Sequence, residues 1–410
     1  MSFLKIYAGF GIELEYMIVK NRTMDVLPIS DELLKEVTGA YNSDFDNEEI
    51  SWSNELVLHV IEIKTNGPAK SLENLEEHFY KNVMIIKNIL KKWDATLLPS
   101  GAHPFFNPEL ETKLWPHENN PVYDAYNRIF GCKGHGWSNL QSTHINLPFA
   151  NDEEFKRLHA AIRFLMPIIP GLTASTPIID NKPTGFIDTR LNYYRNNQKK
   201  IPSLTGDVIP EILISKNDYS KNVFEKIYHD ITPYDTDDIL KHEWLNSRGA
   251  IARFDRNSIE IRIIDLQESP LADVSLSALI IETLHLLSEN DKYLKLISEF
   301  NQNALVDIFS RAIVTGEITS IGDKSYLSVF GIDHDTTISE LWKHIHSLFK
   351  SDRKFMSDKQ YLTSKEILDE GTLSTRILKM LNNNYSMENI LVVYHQLEKC
   401  LNDNTLFRTK

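Results

Sequence analysis

Acidic side chains stand where a β-sheet should be apolar. Glu13 and Glu15 lie two residues apart in a run rich in Ile, Tyr and Phe, 6–19, so a strand would place both on one face. Glu62 interrupts the apolar run Val57–Ile63, with Lys64 two residues on and Glu55 at its start. His144 shares a strand face with Ser142 and Asn146, and Glu260 shares one with Arg262 between Ile259, Ile261 and Ile263. A single acid of this kind is explained by a local ion pair such as Glu62–Lys64 or Glu260–Arg262. Recurrence in four strand candidates is not, because a buried carboxylate is costly unless it is paired or metal-bound. The recurrence points to one shared site.

Carboxylate oxygens with one imidazole suit hard divalent ions, Mg²⁺ or Mn²⁺. Zinc spacings such as Cys₂His₂ or His-Glu-x-x-His are absent from the sequence. Several carboxylates with cations nearby suit phosphoryl transfer from ATP, where metals neutralise the phosphates and Arg or Lys neutralise the transferred group. The candidate cations are Lys64, Arg190, Arg253, Arg256 and Arg262, with Glu260 and Arg262 as the catalytic pair. GxxxxGK[ST] and strand–GxGxxG–helix patterns are missing, which argues against P-loop, Rossmann and protein-kinase cradles.

The elements that must position these residues follow from periodicity. Strands are expected at 6–19, 55–65, 97–104 and 140–149, and a hairpin at 248–265 with its turn at Asp255–Asn257. Ser71 is expected to open a long helix through Leu72, Leu75, Phe79, Val83, Ile86 and Leu90. Further helices are expected at 152–166 and 271–288. Gly131–Trp137 reads as a mobile glycine loop and 184–210 as mostly loop. After about Asp291 helical segments dominate, at 294–313, 337–349, 364–381 and 387–401. The expectation is an α+β catalytic core over 1–290 with a mostly antiparallel sheet, followed by a helical extension over 291–410.

A net charge of −13 opposes broad binding to nucleic acid or to an anionic membrane. The most apolar helical stretch, 276–287, carries Glu282 and His285 and reads as too short and polar for a span. Two distant cysteines make no disulfide framework, and Met-Ser-Phe-Leu-Lys carries no apolar leader, so a cytoplasmic location is expected. Small-molecule substrates are the expected partners, and a homo-oligomer is compatible with the sequence. His59 and His103 read as structural, Cys132 as no nucleophile, and Tyr193, Tyr194 and Trp137 as packing or pocket-wall residues.

In order along the chain, GIELEY (11–16), ELVLHVIEIKTN (55–66), PSGAHP (99–104), QSTHINLPF (141–149), ASTPIID (174–180), DTRLNYY (188–194) and RFDRNSIEIRIIDLQESPLAD (253–273) resemble the glutamate–cysteine ligase family of the bacterial carboxylate–amine ligase and plant type. The resemblance covers about the first 290 residues. It implies a glutamine synthetase-like fold whose curved antiparallel sheet lines the site. It also implies phosphorylation of a γ-carboxylate by ATP and capture of the acyl phosphate by an amine, with glutamate and cysteine as substrates. By position it implies that Glu13, His144 and Glu260 hold one ion and Glu15, Glu55 and Glu62 a second. Glu13 or Glu260 would bridge to a third, and Arg262 would meet the γ-phosphate. Arg190, in the DTRLNYY loop, is separately expected to grip a substrate carboxylate. Glu55 and Glu62 are an odd number apart, so an unbroken strand would put them on opposite faces; a bulge or a later strand start would resolve this. A small-molecule kinase, or a nucleotide-binding regulator without catalysis, are the competing readings.

Overall fold

The computed structural model describes residues 3–409. Its centre is an eight-stranded antiparallel sheet: β1 Gly11–Lys20, β2 Asp44–Asn47, β3 Ile50–Asn54, β4 Val60–Thr65, β5 Ala95–Leu98, β6 Ser142–Pro148, β7 Ala250–Arg253 and β8 Ser258–Asp265. The spatial order is β2-β3-β4-β1-β6-β8-β7, with β5 paired to the far end of β1. Period-two alternation sorts the two faces. Ile12, Leu14, Tyr16 and Ile18 of β1 are sealed, as are Ile61, Ile63, Ile145, Leu147, Ile259 and Ile261. They join one hydrophobic core with helices Leu75–Leu90, Asp152–Leu165 and Pro270–Glu289. The other face of β1 is split. Glu13 and Glu15 line a cleft, whereas Met17 and Val19 enter a smaller core with Leu98 and the C-terminal helices Leu373–Leu381 and Met387–Asp403.

The helices after residue 291 are therefore folded onto the sheet: the main core runs from Tyr7 to Leu406. Arg376 is ion-paired to Glu268 in the turn leaving β8, and it donates to the Phe407 carbonyl at 2.7 Å. All three groups are buried, so the last helices are tied to the turn that follows β8.

Several expected boundaries move. β1 begins at Gly11 rather than residue 6, and β4 begins at Val60, leaving Glu55 in the β3–β4 connection. The odd spacing of Glu55 and Glu62 is resolved in this way. The hairpin of β2 and β3 was not expected, although Ile50 and Trp52 alternate with Ser51 and Ser53. The helix expected from Ser71 starts at Leu75, after a turn in which Asn74 takes a positive φ. The glycine loop contains a helical turn, His135–Ser138, and 184–210 contains the helix Thr189–Tyr194, capped by Asp188. The expected helix 294–313 is two, Asp291–Ile297 and Gln302–Thr315, because Asn301 caps the second. The expected 364–381 is Asp358–Glu370 and Leu373–Leu381, broken at Gly371 with φ 96° and restarted by Thr372. Pro270–Glu289 is long and apolar enough to cross a membrane, against the expectation; in the fold it is the central core helix.

Candidate active site

Strand register brings the acids together. Glu13 faces Lys64 on β4 and His144 on β6, while Glu15 faces Glu62. Glu260 on β8 faces Asn146. The ligand atoms of Glu13, His144 and Glu260 lie within 4.8 Å of one another, and so do those of Glu15, Glu62 and His144. Two groups share one imidazole on the floor of the cleft. His144 Nδ1 is 2.8 Å from Glu13 Oε2, and Nε2 is 2.9 Å from Ser142 Oγ. Ser142 in turn donates its hydroxyl (2.9 Å) and its amide (2.7 Å) to Glu15. Asn146 donates to the other oxygen of Glu13 at 3.0 Å.

The electrostatics reflect too much negative charge for the protein cations present. Burial, then Glu62 and Glu260, push the Glu13 carboxyl above its ordinary value against the opposing pull of His144. Burial, Glu15 and Glu62 raise Glu55 well above it. Burial would depress His144, but its bond to Glu13 and the charges of Glu15 and Glu260 lift it to about 9. Burial would also raise Glu62, yet Lys64 at 2.9 Å and Ser53 at 2.7 Å hold it low. Hard divalent cations fit this donor set: they would discharge the repulsion that raises Glu13 and Glu55. Glu55 stands outside both groups of ligand atoms, in its loop, and lines the cleft beside them.

The cations divide by environment. Arg262 lies 2.9 Å from Glu260 through Nε, though that N–H is not aimed at the carboxylate. Lys64 donates to Glu62 and Ser53 and still lines the cleft. Arg253 is paired with Asp255 at 2.9 Å and lies 3.9 Å from Glu260. Arg256 is solvent-exposed on the rim, 4.0 Å from Asp255. Arg190 sits on a helix, not a loop, and its guanidinium is buried against Asp265.

Three adjoining cavities run along this face, of about 180, 530 and 670 Å³. The first two share Glu55, Trp137, Gln198, Ser247 and Arg262, and the last two share Asp44, Lys64 and Arg256. The first is roofed by the turn His135–Ser138 and by Tyr194 and Asn197; Asn197 donates to the Gly136 carbonyl, latching the two segments together. Trp137 and Tyr194 are thus wall residues. His59 and His103 are buried, bonded to the carbonyls of Ser138 and Met24, and the Cys132 thiol is buried and pushed up to about 12. Residues not singled out from sequence are Ser53, whose strand was missed, and Asp265, whose partner Arg190 is remote in sequence.

Comparison with known proteins gives the family and the fold. Residues 9–307 match the model of glutamate-cysteine ligase family 2 (GCS2). An uncharacterized protein of Archaeoglobus fulgidus is 31% identical over 97% of this chain and 99% of its own length. The crystal structure of a glutamate–cysteine ligase from Francisella tularensis in complex with AMP superposes with a TM-score of 0.64 at 13% identity, covering 98% of this chain and 90% of that one. A bifunctional glutathione synthetase from Pasteurella multocida gives 0.55 at 12% identity over 95% of this chain, which spans about half (52%) of that protein. These likenesses establish the shared fold, an antiparallel sheet with helices as the resemblance implied. Because the family model spans every strand of the sheet and every acid on its cleft face, the chain belongs to glutamate-cysteine ligase family 2.

Proposed function

We propose that this protein is an ATP-dependent carboxylate–amine ligase that works through an acyl phosphate. The observation that carries the reading is the pair of carboxylate groups sharing His144 on the floor of a cleft whose walls hold Lys64, Arg253 and Arg262. Family membership, and the AMP held by the structural neighbour, support ATP as co-substrate. Glu13, His144 and Glu260 would hold one Mg²⁺ or Mn²⁺ ion and Glu15 with Glu62 a second, with Glu55 beside them on the cleft wall; Glu13 or Glu260 would also serve a third. Bound there, the ions would neutralise the phosphate oxygens.

The protein's own groups then act by positioning and charge. Arg262, 2.9 Å from Glu260 through Nε, would offer its terminal guanidinium nitrogens to the γ-phosphoryl oxygens, and Lys64 with Arg253 would line the path of the polyphosphate. A carboxylate oxygen of the acid attacks the γ-phosphorus and the bond to ADP breaks. The amine nitrogen next attacks the acyl carbon, inorganic phosphate leaves, and the amine loses a proton. The segments over the 180 Å³ cavity would limit the access of water to the acyl phosphate. L-glutamate is the proposed acid and L-cysteine the proposed amine, on the strength of the family and its named structural neighbour. The two free cysteines, one buried and one partly so, agree with a reducing cytosolic setting.

The test is ADP release over a matrix of acids and amines, with ¹⁸O in the acid carboxylate. Label should appear in inorganic phosphate. Label in AMP, or ADP release that needs no amine and yields a stable phosphorylated product, would remove the ligase reading. A dominant amide other than γ-glutamylcysteine would retain the ligase and replace the amine.

A further inference from the structure

β8 slips by one residue against β6: Ile261 faces Ile145, but Ile264 faces Thr143. Arg262 and Ile263 therefore stand together opposite His144, as in a β-bulge, where one residue's backbone groups lose their ladder partners. The Arg262 amide is satisfied by the Gly249 carbonyl at 2.9 Å. The Arg262 carbonyl accepts from both terminal nitrogens of Arg190, each at 3.3 Å. Arg190 is itself fixed: its Nε pairs with Asp265, and its backbone amide donates to Thr176 Oγ1 at 3.0 Å. The second oxygen of Asp265 accepts from the Ser175 amide (2.8 Å) and the Thr176 hydroxyl (3.0 Å). Arg190 and Asp265 side chains are 2% and 0% exposed.

A cationic side chain lining a cavity is first read as a grip for substrate. Here each guanidinium nitrogen of Arg190 already has a protein acceptor, and two of them converge on the Arg262 carbonyl within the bulge. A half-buried carbonyl without a partner is unfavourable, so these two bonds favour the bulge. The bulge also has a geometric consequence. An unbroken strand would carry Asp265 to the core face, whereas the extra residue returns it to the face that Arg190 occupies. The clamp and the bulge thus hold each other in place.

We infer that Arg190 is a positioning residue that acts through Arg262, holding its backbone so that its side chain reaches the cleft beside Glu260. What Arg262 does there rests on the ligase reading; the clamp itself does not.

The experiment pairs kinetics with crystallography on the full chain. Arg190→Ala should lower kcat at least ~30-fold while KM for the acid moves less than ~3-fold, the pattern of a lost transition-state contact. Adding Arg262→Lys should cost less than ~3-fold more, because both changes remove one function. Guanidinium ion should restore at least ~10-fold of the kcat of Arg190→Ala. The crystal structure of the variant should show Arg262 displaced and the 261–264 register altered. Arg190→Lys keeps the charge opposite Asp265 but loses the fork, and serves if the alanine variant does not fold. A KM rise above ~10-fold with kcat unchanged would make Arg190 a substrate grip and overturn the inference. So would an unmoved Arg262 in the variant crystal. Absence of turnover in the wild type would remove the ligase reading alone, and the crystallographic displacement would still decide the clamp.

Discussion

His144 Nδ1 and Glu13 Oε2 meet at 2.8 Å across the register pair that joins β1 to β6. His144 is also the one residue common to both groups of ligand atoms. Its imidazole, lifted to about 9, is a protonated counter-ion for the acids, and it would become a metal ligand only after that proton leaves.

Turnover should therefore require a divalent ion and stop in EDTA. Glu13→Gln or Glu260→Gln should lower kcat at least ~100-fold with circular dichroism and melting unchanged to a few degrees. ADP release at the full rate in EDTA would contradict the metal site.

Gly136→Ala tests the roof. A Cβ there would overlap the Asn197 side-chain amide, whose nitrogen donates to the Gly136 carbonyl. Breaking that latch should raise KM for the acid or the amine by roughly 3- to 10-fold and cost on the order of 1 kcal/mol of stability. Gly136→Ala with Asn197→Ala removes the overlap, so its melting temperature should return towards wild type while KM stays high. Unchanged KM in both variants would take the roof out of the substrate site.

Arg376→Met should cost about 3–5 kcal/mol, measured by urea unfolding, since it leaves Glu268 buried without its partner. Replacing both residues by Met and Leu should recover much of the loss. A loss below about 1 kcal/mol in the single variant would show that the C-terminal tie carries little.

Acid should destabilise the fold through buried histidines. Burial lowers His59 and His103 to about 4 and His159 to about 3. Against an unfolded value near 6.5, the folded state binds fewer protons in the interval. Stability is thus whole above about pH 6.5 and falls as pH drops towards 4, by up to about 3 kcal/mol per histidine. Urea midpoints at pH 7.5, 6 and 5 should show this slope, and His103→Gln should flatten it by one histidine's share. An equal slope in wild type and variant would contradict the assignment.

The sequence by itself determined which charged residues share a strand face. Two-residue spacing placed Glu13 with Glu15 and Glu260 with Arg262 on single faces, because strand geometry fixes that alternation whatever the neighbours are. The Leu72–Leu90 periodicity likewise marked a core helix, and all six of its apolar positions are buried. Only the tertiary structure decided which acids meet. Register between strands remote in sequence sets Glu15 against Glu62 and gathers Glu13, Glu260 and His144, and hydrogen bonds between distant segments fix it. The same holds for Glu55, which lies in a loop because β4 starts late, and for Ser53, on a hairpin stabilised by pairing with β4. Arg190 shows the limit most plainly. Its partners Asp265 and the Arg262 carbonyl lie more than 70 residues away, and a one-residue bulge in β8 brings them to it, a feature no local pattern encodes.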